Sequence, residues 1–195
     1  MNLLDEALCF AIEKHSGQTR KTQDTPYILH PLEVTAIVGT MTSDPETLAA
    51  AVLHDTIEDA GVTLEEITEK FGKRVALLVM TETENKREEL PPAQTWQLRK
   101  EETLIMLEHT KDLSVKMMWL GDKLSNMRSF YRLYRKQGND LWQGFNQKDP
   151  AMQAWYYRTI ARCLRDLQEY DAYQEYVNLV NIVFETVEGG VPHEI

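Results

Sequence analysis

The chain has 195 residues, 43% of them hydrophobic and 27% charged, with a formal net charge of −10 at pH 7. That size and composition suit one folding unit with a real core, and the negative balance argues against general affinity for nucleic acid. No long apolar span is present, and the start of the chain already carries Asp5 and Glu6. Neither a membrane helix nor a signal peptide is therefore expected, and the chain reads as cytoplasmic.

Helical periodicity runs along nearly the whole sequence. Leu3, Leu4, Ala7, Leu8, Ala11 and Ile12 form the first apolar stripe. Cys9 within it and Cys163 further on read as reduced core residues. A second helix is expected from Pro31 to Met41, with Pro31 as its first residue. His30, just before it, has apolar neighbours on both sides, so it is either a satisfied core histidine or a nitrogen ligand. Further helices are expected at Pro45 to Asp59, Leu64 to Phe71, Lys73 to Thr81, Thr95 to Glu108 and Leu113 to Arg135. Ala151 to Val187 reads as one long or two shorter helices, with Trp155, Ile160, Leu164, Leu167, Tyr170, Tyr173, Val177 and Val180 as core. Two loops interrupt the pattern. Glu82 to Ala93 is charged and stopped by Pro91-Pro92, and Gln137 to Pro150 joins the core to the C-terminal helices. Alternating strand-like runs are missing. The predicted fold class is an all-α bundle, one domain over residues 1–187, with 188–195 as a tail in which His193 is incidental.

The chemistry concentrates where the apolar run Leu48 to Leu53 meets His54-Asp55-Thr56-Ile57-Glu58-Asp59. On a continuous helix at about 100° per residue, His54, Asp55, Glu58 and Asp59 share one side. Such a cluster is either a polar helix end with a capping aspartate or a site for a divalent ion that offsets the desolvation of the charges. His30 is a candidate ligand from elsewhere in the chain. Asp122 is another, because Val115, Met118, Asp122, Asn126 and Ser129 fall on one helical stripe, and a carboxylate on a buried stripe needs a partner. A break at Gly121 would instead make Asp122 an N-cap. Two imidazoles and two carboxylates suit several divalent ions. Local positive charge follows at Lys123, Arg128, Arg132, Arg135 and Lys136, with a second basic point at Arg20-Lys21. These are either solvated faces or contacts for phosphate and base, and Arg20 could stack on a purine.

Taken together, His30, His54-Asp55 and Asp122 stand in the order H…HD…D of the HD phosphohydrolase superfamily. Five segments, His15-Ser-Gly-Gln-Thr-Arg20-Lys21, Pro26-Tyr-Ile-Leu-His30-Pro-Leu, His54 to Asp59, Phe71-Gly-Lys-Arg-Val75 and Gly121 to Arg128, resemble in order the hydrolase domain of the RelA/SpoT homologue family. The resemblance runs from about Leu3 to Leu133. It implies hydrolysis of the alarmones ppGpp and pppGpp at the 3′-pyrophosphate ester, giving GDP or GTP and pyrophosphate. It implies Mn²⁺ held by His30, His54, Asp55 and Asp122, with Glu58 and Asp59 orienting water and moving protons. Which of those two is the base stays open. By the same resemblance Arg20 and Lys21 lie at the guanine, Asn126, Arg128 and Ser129 lie near the ribose and phosphates, and the Glu82 to Ala93 connection lies near the active-site mouth. A chain of this length does not hold both hydrolase and synthetase domains, so it looks like a stand-alone small alarmone hydrolase. It departs from the family pattern at Gly121, where alanine is usual. A helix-interior glycine costs about 1 kcal/mol and is expected to loosen Asp122. Ser129 and Ala60 replace threonines, and Thr81 to Lys86 replaces a shorter aspartate-lysine pattern. That last change leaves ppApp, the 2′-phosphate of NADPH or a nucleoside monophosphate open as substrates, and a non-catalytic alarmone-binding protein as a third class.

Overall fold

Local capping chemistry fixes several helix starts. In this computed structural model, which describes residues 2–20, 24–87 and 89–187, the Asn2 side chain accepts a hydrogen bond from Asp5 N while Asp5 accepts one from Asn2 N. This capping box opens α1 (Leu3–Lys14). Asp44 accepts from Thr47 N ahead of Pro45 to start α3 (Pro45–Leu53), and Thr63 does the same through Glu66 N for α5 (Leu64–Phe71). Between the first two, α2 (Leu29–Val38) begins two residues before Pro31. A proline in the first turn removes no helical hydrogen bond, so the earlier start is not disfavoured.

The expected helix from Pro45 to Asp59 is broken. The main chain turns at His54-Asp55, and a separate five-residue helix, α4 (Thr56–Ala60), carries Glu58 and Asp59. The cause is local, since His54 Nδ1 donates to Ala51 O at 2.8 Å and Thr56 Oγ1 donates to Leu53 O at 2.7 Å. Side chains thus take carbonyls at the end of α3. The four ionisable groups sit on a turn and a separate short helix, not on one helical face.

After α5 come α6 (Lys73–Glu82), α7 (Pro92–His109), α8 (Leu113–Gln137), α9 (Pro150–Cys163) and α10 (Asp171–Val183). No strand occurs among the described residues, only an isolated bridge between Thr19 and Pro26, and the fold is all-α. The chain packs as two compact units, one from Met1–Glu84 and Asp112–Ser125, the other from Asn85–Lys111 and Asn126–Ile195.

In the first unit α3 packs against α1, α2 and α6. Ala49 to Leu53 are fully buried, as befits a helix surrounded by others. The part of α8 in this unit is buried on every side from Val115 to Ser125. Gly121 does the opposite of loosening it. A Cβ at that position would lie 2.8 Å from Val38 Cγ2 and 3.2 Å from Val34 O, so only glycine lets α8 approach α2 this closely. Asp122 lies within the helix and is no N-cap.

The second unit is built on aromatic contacts. Trp142 stacks on Phe184 with centroids 5.4 Å apart, Phe130 meets Trp142 and Tyr157 edge-on, and Trp96 meets Tyr156. Gln137 to Pro150 is more than a connector, because Gly138–Gly144 forms a 3₁₀ helix that buries Leu141 and Trp142. Residues 151–187 divide into α9, a 3₁₀ turn at Arg165–Leu167 and α10. Tyr170, Tyr173 and Val177 are only half-buried, while Tyr176, Leu179 and Val183 supply the core of α10. The reading of both cysteines as core is corrected: Cys9 is exposed and Cys163 half-buried, because each lies beside its helix's apolar stripe. The expected tail at 188–195, with His193, lies outside the described residues. No helix among the described residues is long and apolar enough to cross a membrane.

Candidate metal centre

Three elements of the first unit bring their polar groups together. α2 supplies His30, the turn after α3 supplies His54 and Asp55, and the buried stretch of α8 supplies Asp122. His30 Nε2 lies 3.0 Å from Asp122 Oδ1 and 3.6 Å from Asp55 Oδ2, and His54 Nε2 lies 2.9 Å from Asp55 Oδ2. Ligand atoms of His30, His54 and Asp122 all fall within 4.8 Å of one another, close enough to hold a single divalent ion.

The tautomers test whether an ion fits. His54 Nδ1 faces a backbone carbonyl, which can only accept, so the hydrogen of the neutral ring is on Nδ1 and the Nε2 lone pair faces the cluster. Ser125 Oγ donates to Glu33 Oε2 at 2.7 Å, so the serine oxygen is left to accept from His30 Nδ1 at 2.9 Å. His30 Nε2 therefore also presents a lone pair. With both rings neutral, two imidazole lone pairs and two carboxylates converge, and the buried His54 Nε2 faces Asp55 Oδ2 at 2.9 Å, acceptor against acceptor. A proton or a cation must stand there. Partners on the far side of each ring are the usual support of metal-ligating histidines.

Electrostatics agree. Burial disfavours a charged His54, but Asp55, with Asp122 and Glu82, outweighs it and lifts the imidazole to about 10. Burial has the upper hand at His30 and lowers it. Burial also works against the Asp55 and Asp122 carboxylates, yet His54 draws Asp55, and Lys123 with His30 draws Asp122, well below the usual range.

Lys123 Nζ contacts Asp122 Oδ2, leaving Oδ1 toward His30, and rides over the Trp119 ring at 4.5 Å. It is buried, so it is not part of a solvated basic face. Glu82 escaped the sequence reading, which ended the preceding helix at Thr81 and assigned Glu82 to a charged loop. It is 7% exposed, Oε1 has no hydrogen-bond partner, and burial followed by Asp122 pushes its carboxyl up. The signal was present, because Val75, Leu78, Val79 and Glu82 fall on one helical stripe.

Glu58 and Asp59 lie on α4, about one turn beyond His54 and Asp55. Glu58 is half-buried and accepts from Glu84 N at 3.3 Å, while exposed Asp59 accepts from the Tyr27 hydroxyl at 3.0 Å. The Tyr27 hydroxyl also donates to Asp55 Oδ2 at 2.6 Å. The guanidinium of Arg20 lies over the Tyr27 ring at 6.0 Å. Lys21 lies outside the described residues. Asn126, Arg128 and Ser129 belong to the second unit. There Arg128 holds Glu175 through two hydrogen bonds of 2.7 Å, and Ser129 Oγ accepts from Arg132 at 3.0 Å.

Known proteins resemble this chain in sequence and fold. An HD domain model matches residues 7–151. The chain is 40% identical over 128 residues to a guanosine-3′,5′-bis(diphosphate) 3′-pyrophosphohydrolase of Aquifex aeolicus, covering 66% of this chain and 18% of that one. It is 41% identical over 130 residues to a GTP pyrophosphokinase rsh of Brucella ovis, covering 65% of this chain and 17% of the relative. The chain thus spans less than a fifth of the length of these curated relatives. Among solved structures, one described as a metazoan orthologue of SpoT that hydrolyses ppGpp superposes with a TM-score of 0.70 at 25% identity, over 95% of this chain and 96% of the other. With its buried histidine and aspartate cluster inside the matched segment, the chain belongs to the HD domain family.

Proposed function

We propose that this protein hydrolyses the guanosine alarmones ppGpp and pppGpp, releasing the 3′-pyrophosphate to leave GDP or GTP. The observation that carries the reading is the convergence of lone pairs and carboxylates at His30, His54, Asp55 and Asp122 in a chain matched along nearly its whole length by a ppGpp-hydrolysing SpoT orthologue. These four side chains would hold one divalent ion, with Mn²⁺ as the proposed metal. When bound, such an ion polarises a phosphoryl oxygen and makes water more acidic.

The chain's own groups supply the rest. Glu58 and Asp59, beside the cluster, orient the attacking water and carry protons between it and the leaving 3′-oxygen. Water adds to the phosphorus attached to that oxygen and gives up a proton, the P–O3′ bond breaks, and the 3′-oxygen takes a proton to become the hydroxyl. Ser125 and the Ala51 carbonyl keep both imidazoles in the ligating tautomer, and Lys123 holds the second oxygen of Asp122. In this reading Arg20, above the Tyr27 ring, and Lys21 meet the base, while Asn126, Arg128 and Ser129 meet the sugar and phosphates. Arg128 would contact the substrate only by releasing or sharing Glu175.

The test is product chromatography of the pure protein against a panel of phosphorylated nucleotides, with Mn²⁺ and with chelator. Expected are pyrophosphate and GDP from ppGpp, dependent on metal and absent from Asp55→Ala. Orthophosphate as the product, or turnover of ppApp or NADPH but not ppGpp, would replace the substrate. Nucleotide binding without any product would make the protein a non-catalytic binder.

A further inference from the structure

We propose that Tyr27, together with Gln18, is a positioning clamp for α4, fixing Asp59 relative to the metal-facing oxygen of Asp55. The inference rests on the reading of the site as hydrolytic. Its starting point is the weakness of α4, a five-residue helix that is too short to hold its own geometry. Something outside it must place Glu58 and Asp59.

Two side chains reach Asp59 at both ends. Gln18 Nε2 donates to the Asp59 backbone carbonyl at 2.9 Å, and the Tyr27 hydroxyl lies 3.0 Å from the Asp59 carboxylate. The segments that carry them are joined by Tyr27 N donating to Gln18 O at 2.9 Å and by Arg20 N donating to Thr25 O at 3.0 Å. Buried His15 secures this pairing further. Its Nδ1 donates to Gln18 Oε1 at 2.8 Å, and its ring lies against the Tyr27 ring with centroids 5.1 Å apart.

The shorter contact of Tyr27 is with Asp55, at 2.6 Å, and it reaches Oδ2, the same oxygen that lies 2.9 Å from His54 Nε2. A phenol has one proton, so a single hydroxyl spans two carboxylates. Tyr27 therefore sets the separation between the carboxylate that faces the ion and the carboxylate that faces the water. It touches neither substrate nor the scissile bond in this account, and acts through Asp55 and Asp59. Of the two aspartates, Gln18 hydrogen-bonds only Asp59. The two residues should thus be separable by experiment.

Tyr27→Phe keeps the ring and its packing while removing the hydroxyl. Expected are Mn²⁺ affinity roughly tenfold weaker, by calorimetry on the nucleotide-free protein, and kcat for ppGpp lowered about 10- to 100-fold at saturating metal with KM little changed. Gln18→Ala should lower kcat with Mn²⁺ affinity unaltered. Thermal melting of both variants near the wild-type midpoint separates positioning from loss of fold. Wild-type Mn²⁺ affinity and kcat in Tyr27→Phe, or a loss confined to KM, overturns the clamp, and so does unaltered kcat in Gln18→Ala. Should the wild-type protein leave ppGpp intact, the proposed function falls. The Mn²⁺ titration of Tyr27→Phe still decides whether the hydroxyl holds Asp55.

Discussion

His54 shows most directly how neighbours decide a residue's role. Without metal, its imidazole is raised to about 10 by Asp55, Asp122 and Glu82 against the cost of burial, so near neutral pH it carries a proton where an ion would bind. An incoming divalent cation must displace that proton. Metal affinity is accordingly expected to rise with pH, by about tenfold per unit, as long as the pH stays below about 10. Calorimetry in buffers of different ionisation enthalpy measures both the slope and the proton released, and a pH-independent affinity would contradict the geometry. The sign for stability is opposite. A raised folded-state pKa stabilises the metal-free protein fully below the unfolded value of 6.5, and that contribution is lost as pH rises through about 10. At this scale the sequence named the four residues that come together and missed their supports. Tyr27 and Glu33 lie three residues either side of His30, but Ser125 and Glu82 reach the centre from positions that no local pattern connects to His30 or His54.

At the scale of elements, the break between α3 and α4 and the approach of α8 to α2 shape the site. Helical periodicity continues from Pro45 to Asp59, so the sequence suggested one helix. Two side-chain hydrogen bonds to the carbonyls of Ala51 and Leu53 end it instead. Gly121 is a related case. In isolation, replacing a helix-interior glycine by alanine gains about 1 kcal/mol. Here the added methyl would meet Val38 Cγ2 at 2.8 Å and backbone at 3.2 Å, where neither helix has room to move freely. Gly121→Ala is therefore predicted to destabilise by roughly 1–3 kcal/mol net, as overpacked cores do. Urea unfolding measures this, and a more stable variant would show that α8 can shift. Combining it with Val38→Ala should recover part of the loss, because the two residues share one contact.

At the scale of the whole molecule, a net charge of −10 opposes the polyanionic substrate proposed for it. A divalent ion moderates it locally, where buried carboxylates gather. If the centre binds Mn²⁺ only when folded, excess metal stabilises the protein by mass action. At 100 times the dissociation constant the gain is about 2.7 kcal/mol. Thermal melting with Mn²⁺ and with chelator checks this, and equal midpoints would exclude the site. The sequence by itself determined the helical class, the capped starts of α1, α3 and α5, and the identities of His30, His54, Asp55 and Asp122. Those depend on periodicity, on short-range capping and on residue types with few alternative uses. Only the tertiary structure decided that Gly121 brings α8 close to α2, that Arg128 holds Glu175, and that Tyr27 joins Asp55 to Asp59. Each of these joins residues 28 to 87 positions apart in the chain, between which no local periodicity carries information.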